Sequence, residues 1–163
     1  MTNLGLENSY ISLPTDFYRF TQSEVMPSLE LLKLNNELAE LLDLDKDFLL
    51  SENGTMFLGG QALPETTKSI SLAYAGHQFG QLVPQLGDGR ALLLGDKICK
   101  DNQRRDIQLK GSGKTMFSRG GDGRAGIGPV IREYLVSESM HYLDVPTTRS
   151  LAILLTGEKV VRE

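Results

Sequence analysis

The string Gly87-Asp88-Gly89-Arg90-Ala91 recurs as Gly121-Asp122-Gly123-Arg124-Ala125. Each copy joins the two parts of an anion cradle. Its glycines let backbone N–H groups converge with no Cβ in the way, and its arginine offers a two-pronged guanidinium. The first copy precedes a strand-like stretch and reads as a glycine flap; the second precedes a helix-like stretch, whose N-terminus favours negative charge. Asp-Gly is also a common hairpin turn dipeptide, so either copy alone reads more readily as a turn. Two copies flanking a basic segment favour anion binding. Lys110 closes a strand-like stretch and Glu133 sits in the first turns of a helix-like one. A strand lysine braced by a helix glutamate is how protein-kinase-like folds hold an ammonium against nucleotide phosphates.

Other candidates carry less. Gly111-Ser112-Gly113-Lys114-Thr115 imitates a P-loop, but the G-x-x-x-x-G-K-[ST] pattern needs glycine where Gln108 stands. His77 and His141 have no H-x-x-x-H spacing or nearby ligand set, so packing and helix-end roles are expected for them. Cys99 is the single cysteine, which excludes a disulfide framework and a cysteine-rich zinc site; Lys97 and Lys100 beside it raise the prospect of a reactive thiol, against the plainer one of an inert thiol.

The elements that must position these groups follow from patterning. Residues 1–27 read as an irregular arm with Tyr10, Phe17, Tyr18 and Phe20 as anchors. Residues 36–43 read as a helix capped by Asn36, and residues 51–68 as turns, including Asn53-Gly54. Strands are expected at Ile70–Tyr74, Gln78–Val83, Ala91–Ile98 and Arg105–Lys110. The glycine-rich 111–128 leads to a helix over Pro129–Tyr142, capped by Gly128, with Ile131, Leu135 and Tyr142 on one apolar stripe. Ser150–Leu155 and Lys159–Arg162 read as a hairpin. The sum is an α+β chain with a mainly antiparallel sheet, an arm and helical extension over 1–68 and a kinase-like N-terminal lobe over 69–163.

Length and composition agree with a globular protein: 163 residues, 40% hydrophobic and 23% charged. The net charge of −4 argues against a non-specific nucleic-acid binder, and no apolar run reaches the roughly 20 residues of a membrane span. No secretory signal is visible, so a reducing, cytoplasmic setting is expected. Charge is uneven: residues 1–89 hold 4 Lys/Arg against 12 Asp/Glu, and residues 90–163 hold 13 against 9. Twelve of the 17 glycines fall between Gly76 and Gly128.

Three strings carry a closer likeness: NSYISLPTDFYRF (8–20), YAGHQFGQLVPQLGDGRALLLGD (74–96) and DIQLKGSGKTMFSRGGDGRAGIGPVIREYLVSESMHYLDVPTTRSLA (106–152). They resemble the selenoprotein O (YdiU) family of protein nucleotidyltransferases, once regarded as pseudokinases, and the likeness covers essentially the whole chain. The resemblance implies a kinase-like fold that binds ATP in a flipped orientation. It implies transfer of AMP, or in some members UMP, to Ser, Thr or Tyr hydroxyls of other proteins. Carried over by motif, Gly87, Gly89, Arg90, Lys110, Asp122 and Gly123 would bind nucleotide, and Glu133 would support Lys110 in catalysis. Met116 stands where a proline is usual. The catalytic base and the Mg²⁺ or Mn²⁺ ligands lie beyond residue 163 in the family, so no metal site is expected within these residues, and the chain is expected to be inactive alone. No membrane and no nucleic-acid partner are expected, from the lack of a spanning apolar run and the acidic balance. A non-enzymatic nucleotide- or anion-binding module remains the alternative; an RNA-binding domain is disfavoured by the charge and by the lack of aromatics between Phe79 and Phe117.

Overall fold

The computed structural model describes residues 4–162. In chain order the strands and helices are β1 (Tyr18–Phe20), β2 (Glu30–Leu34), α1 (Asn36–Leu41), α2 (Lys46–Leu50), α3 (Glu52–Leu58), β3 (Ile70–Leu72), β4 (Gly76–Gln78), β5 (Gln81–Val83), β6 (Ala91–Ile98), β7 (Arg104–Lys110), α4 (Ile127–Tyr142) and β8 (Ala152–Leu155). Four strands form an antiparallel sheet in the order β1-β3-β6-β7, β2 pairs with β8, and β4 with β5. The expected α+β class with antiparallel pairing therefore holds.

The centre of the sheet is β6. Successive strand residues point to opposite faces, and β6 is covered on both. Leu92 and Leu94 join Leu38, Leu49, Phe57 and Ile107 in the main core, whereas Leu93 joins Tyr18 and Ile70 in a smaller one. That is why ALLL reads as an apolar run rather than an alternation. Strand β7 covers one face only, so Ile107 is buried while Asp106 and Gln108 are exposed. Residues from the arm, from α1–α3 and from the later strands share the main core, which runs from Leu4 to Ala152 and Leu154.

Several local expectations are corrected. The arm is not wholly irregular: residues 18–20 form β1 on the sheet edge, because Tyr18 is an anchor that β3 can pair beside. The 51–68 segment begins as helix α3, with the Ser51 side chain capping Gly54 N–H at 3.1 Å. Gly54 is in that helix for close approach rather than for a turn: a Cβ there would lie 1.9 Å from the Phe48 carbonyl oxygen. Asn35, not Asn36, caps α1, accepting from Leu38 N–H at 3.1 Å. Gln78–Val83 is not one strand but the β4–β5 hairpin, turned at Phe79 and Gly80, both with positive φ.

Gly126, not Gly128, caps α4, and Pro129 falls third in the helix, still within the first turn where no intrahelical N–H is needed. The stripe of Ile131, Leu135 and Tyr142 is solvent-exposed, while Ser137 is the buried residue of α4. No 150–162 hairpin forms among the described residues. β8 instead pairs with β2 across the chain, and Arg162 turns toward Asp122. A bidentate Arg149–Glu138 pair at 2.9 and 2.5 Å ties the segment after α4 back onto the helix.

Candidate functional site

The two Gly-Asp-Gly-Arg copies adopt opposite roles. In the first, Asp88 is buried and its carboxylate accepts from Leu72 N–H and Tyr74 O–H, each at 3.0 Å. Burial and that carboxylate together push the Tyr74 phenol up to about 12. The aspartate thus pins the loop to the end of β3, and no hydrogen bond or ion pair among the described residues holds the Arg90 guanidinium. In the second copy the arginine is the structural member. Arg124 is 12% exposed and pairs with Glu24 at 3.0 Å and Glu158 at 2.6 Å. Its aspartate is the accessible one: Asp122 accepts two bonds from Arg162, at 2.7 and 2.9 Å, and one from Arg124 N–H at 2.9 Å. Arg162 is the main reason its carboxyl is held near about 2.

Short bonds lace the loops together. The Thr115 hydroxyl donates to the Asp88 carbonyl at 2.5 Å, the Ser118 hydroxyl to the Gly89 carbonyl at 2.6 Å, and Gly111 N–H to the Arg90 carbonyl at 2.8 Å. Gly123 has φ +68°, and a Cβ on it would lie 1.9 Å from the Gly113 carbonyl oxygen. Gly123→Ala is therefore expected to shift the loop backbone and lower the thermal midpoint clearly. Gly120→Ala, also at positive φ (+83°) but with nothing within 4 Å, should cost only the left-handed penalty of about 1–2 kcal/mol. Thermal denaturation of the two variants side by side checks this; equal losses would refute the close-approach role.

Gly87, Gly89, Arg90, Asp122 and Gly123 all line one cleft of about 630 Å³, together with Arg119, Arg162 and Tyr74. Lys110 does not line it. Its ammonium meets the Glu133 carboxylate at 2.6 Å on the wall of an adjoining groove of about 1000 Å³ between β7 and α4, and Arg90 borders both spaces. The β6–β7 register places Lys110 opposite Ala91, the residue after Arg90. Both charged groups of the pair are about half exposed, so its contribution to stability is at most about 1 kcal/mol. What it does is fix where the ammonium sits.

The other candidates stay apart. Lys114 lies outside the cleft and its backbone N–H is taken by the Glu24 carboxylate at 3.3 Å. Cys99 is buried, its thiol directed at the Lys97 carbonyl at 3.7 Å. His77 and His141 are exposed on different elements and lie outside the glycine-loop cleft, although His141 borders the groove that holds the Lys110–Glu133 pair. Among the described residues no group of three or more His, Cys, Asp or Glu is placed to hold a metal ion, and no helix is long and apolar enough to cross a membrane. Sequence reasoning missed Arg119, Arg162, Glu24 and Glu158. Only Arg119 carried a signal, its place beside the second glycine string; the other three are brought in by long-range folding.

Fold and site together define an α+β domain of antiparallel sheets whose cleft is walled by two glycine loops and four arginines. The family model described as "Protein adenylyltransferase SelO" matches residues 1–163, and the chain belongs to that family. It is 60% identical over 157 residues to a protein nucleotidyltransferase YdiU of Rhodopseudomonas palustris (strain BisB5), covering 96% of this chain and 32% of that one. Proteins of the same name from Alkalilimnicola ehrlichii and Bradyrhizobium diazoefficiens are 57% and 55% identical, with the same coverage. The chain thus spans about a third of the length of the relatives it matches.

Proposed function

We propose that this chain forms the nucleotide-holding part of a protein nucleotidyltransferase with a kinase-like N-terminal lobe. ATP is the donor, and AMP, or UMP from the corresponding donor, passes to Ser, Thr or Tyr hydroxyls of other proteins. The observation that carries the reading is that Gly87, Gly89, Arg90, Asp122 and Gly123, named by the family resemblance, line one cleft. The Lys110–Glu133 pair at 2.6 Å on the adjoining wall supports it, as does the order of glycine loop, lysine strand and glutamate helix.

In the reaction a hydroxyl oxygen of the acceptor attacks the α-phosphorus. The new O–P bond forms as the bond to pyrophosphate breaks, and the hydroxyl proton leaves to a base. The chain's own share is positioning and charge. Backbone amides of the glycine loops orient the phosphates, while Arg90 and Lys110 offset negative charge that shifts onto the departing pyrophosphate. Mg²⁺ or Mn²⁺ belongs to the proposal through the family, but the described residues do not fit a metal.

The test uses labelled ATP, Mg²⁺ or Mn²⁺ and candidate acceptor proteins. The 163-residue polypeptide alone should bind ATP and leave the acceptors unlabelled, because the described residues offer no metal cluster. A protein of the relatives' length carrying this segment should label them. Labelling by the 163 residues alone that vanishes in Lys110→Ala would overturn the division of labour. ATP binding with no labelling in either would favour the non-enzymatic module, and tighter binding of an RNA oligomer than of ATP at matched salt would overturn both.

A further inference from the structure

The four arginines of the 630 Å³ cleft are not equally neutralised. Arg124 is answered by Glu24 and Glu158, and Arg162 by Asp122. Arg119 has only a neutral partner, donating to the Gln78 side-chain oxygen at 2.7 Å, and Arg90 has no hydrogen-bond or ion-pair partner among the described residues. Two positive charges without a carboxylate therefore face one cleft, each from a different glycine loop. Their spacing is set by the backbone: the Ser118 hydroxyl beside Arg119 bonds the carbonyl of Gly89, beside Arg90, at 2.6 Å.

We infer that Arg119 is a second phosphate-binding residue, gripping the polyphosphate tail of the nucleotide together with Arg90. The inference rests on the nucleotide reading of the cleft and adds to it a ligand carrying charge on more than one phosphate. The Gln78 contact holds the guanidinium ready on the β4–β5 hairpin at little ordering cost. A phosphate oxygen replaces that neutral acceptor with an anionic one, which adds attraction between opposite charges and suits the two-pronged guanidinium. Met116 and Lys114, earlier in the same loop, do not line the cleft.

Calorimetric titration of the chain with ATP, AMP and inorganic tripolyphosphate tests this, with circular dichroism to verify folding. Arg119→Ala should weaken ATP and tripolyphosphate about tenfold and AMP much less, from the loss of one charge-assisted contact. Arg119→Lys should recover part of the affinity, and Lys114→Ala should change nothing. If Arg90→Ala weakens ATP binding and Arg119→Ala does not, the Arg119 assignment falls while the cleft reading stands. If neither matters, or the wild-type chain binds no ATP, the cleft reading itself falls and takes this inference with it.

Discussion

Lys110→Met should depress nucleotidyl transfer by roughly one to two decades, measured in a protein of the relatives' length that carries these residues. The estimate is the loss of one charge-assisted contact to phosphate, about 1.5–3 kcal/mol. Folding should survive. The ammonium is half exposed and its pairing with Glu133 contributes little stability, while β6 and β7 are held by Leu92, Leu94, Ile107 and Leu109. Arg90→Ala should act similarly, because Arg90 borders both the glycine-loop cleft and the lysine groove. Lys114→Ala is the control: it has the same charge and lies four positions on, but its side chain faces neither space. Initial rates with labelled ATP decide the matter. Activity abolished by Lys114→Ala and retained in Lys110→Met would sink the kinase-like assignment and restore the P-loop reading.

Asp96→Ala should cost stability rather than chemistry, on the order of 2–4 kcal/mol. Asp96 is fully buried at the end of the β6 core run. Its carboxylate accepts from Ser9 N–H and the Ser9 hydroxyl, both at 2.7 Å, and from the Arg104 guanidinium. Its backbone exchanges two bonds with Glu7, so this one residue fastens the arm to the sheet. Removing the carboxylate leaves the two part-buried Ser9 donors without their acceptor, at up to about 1–3 kcal/mol each; Arg104 is 44% exposed and can rehydrate, which caps the loss. A fall in thermal midpoint of roughly 5–15 °C is expected.

The same residue sets a pH dependence. Burial pushes the Asp96 carboxyl up, but the Ser9 amide and hydroxyl and Arg104 outweigh it, leaving it below the usual carboxylate range. A depressed acid stabilises the fold above its unfolded value, about 3.9, and that stability is lost as pH falls through the lower folded value. Neighbouring Asp106 shifts the other way, raised by partial desolvation and then by the Asp96 charge. Asp96→Asn should therefore flatten the acid limb of the stability curve below about pH 4. Identical acid limbs in the wild type and Asp96→Asn would refute the role.

What the sequence determined by itself is local. Alternation fixed β7, the apolar run fixed β6, and the glycine strings marked both loops of the cleft, because these signals depend on neighbours a few residues away. Lys110 and Glu133 were legible for the same reason, each lying on an element with a clear pattern, and their 2.6 Å meeting follows from the α4 position. The hairpin expected over 150–162 failed where a distant strand, β2, competed for β8. Nor could spacing reveal which half of each Gly-Asp-Gly-Arg copy would be buried. Two identical pentapeptides have identical local preferences. Only the tertiary structure decided between them, by setting Leu72 and Tyr74 against Asp88 and setting Glu24 and Glu158 against Arg124. A buried charge or carboxylate must find its partners wherever the fold brings them, so one copy keeps its arginine for the cleft and the other its aspartate.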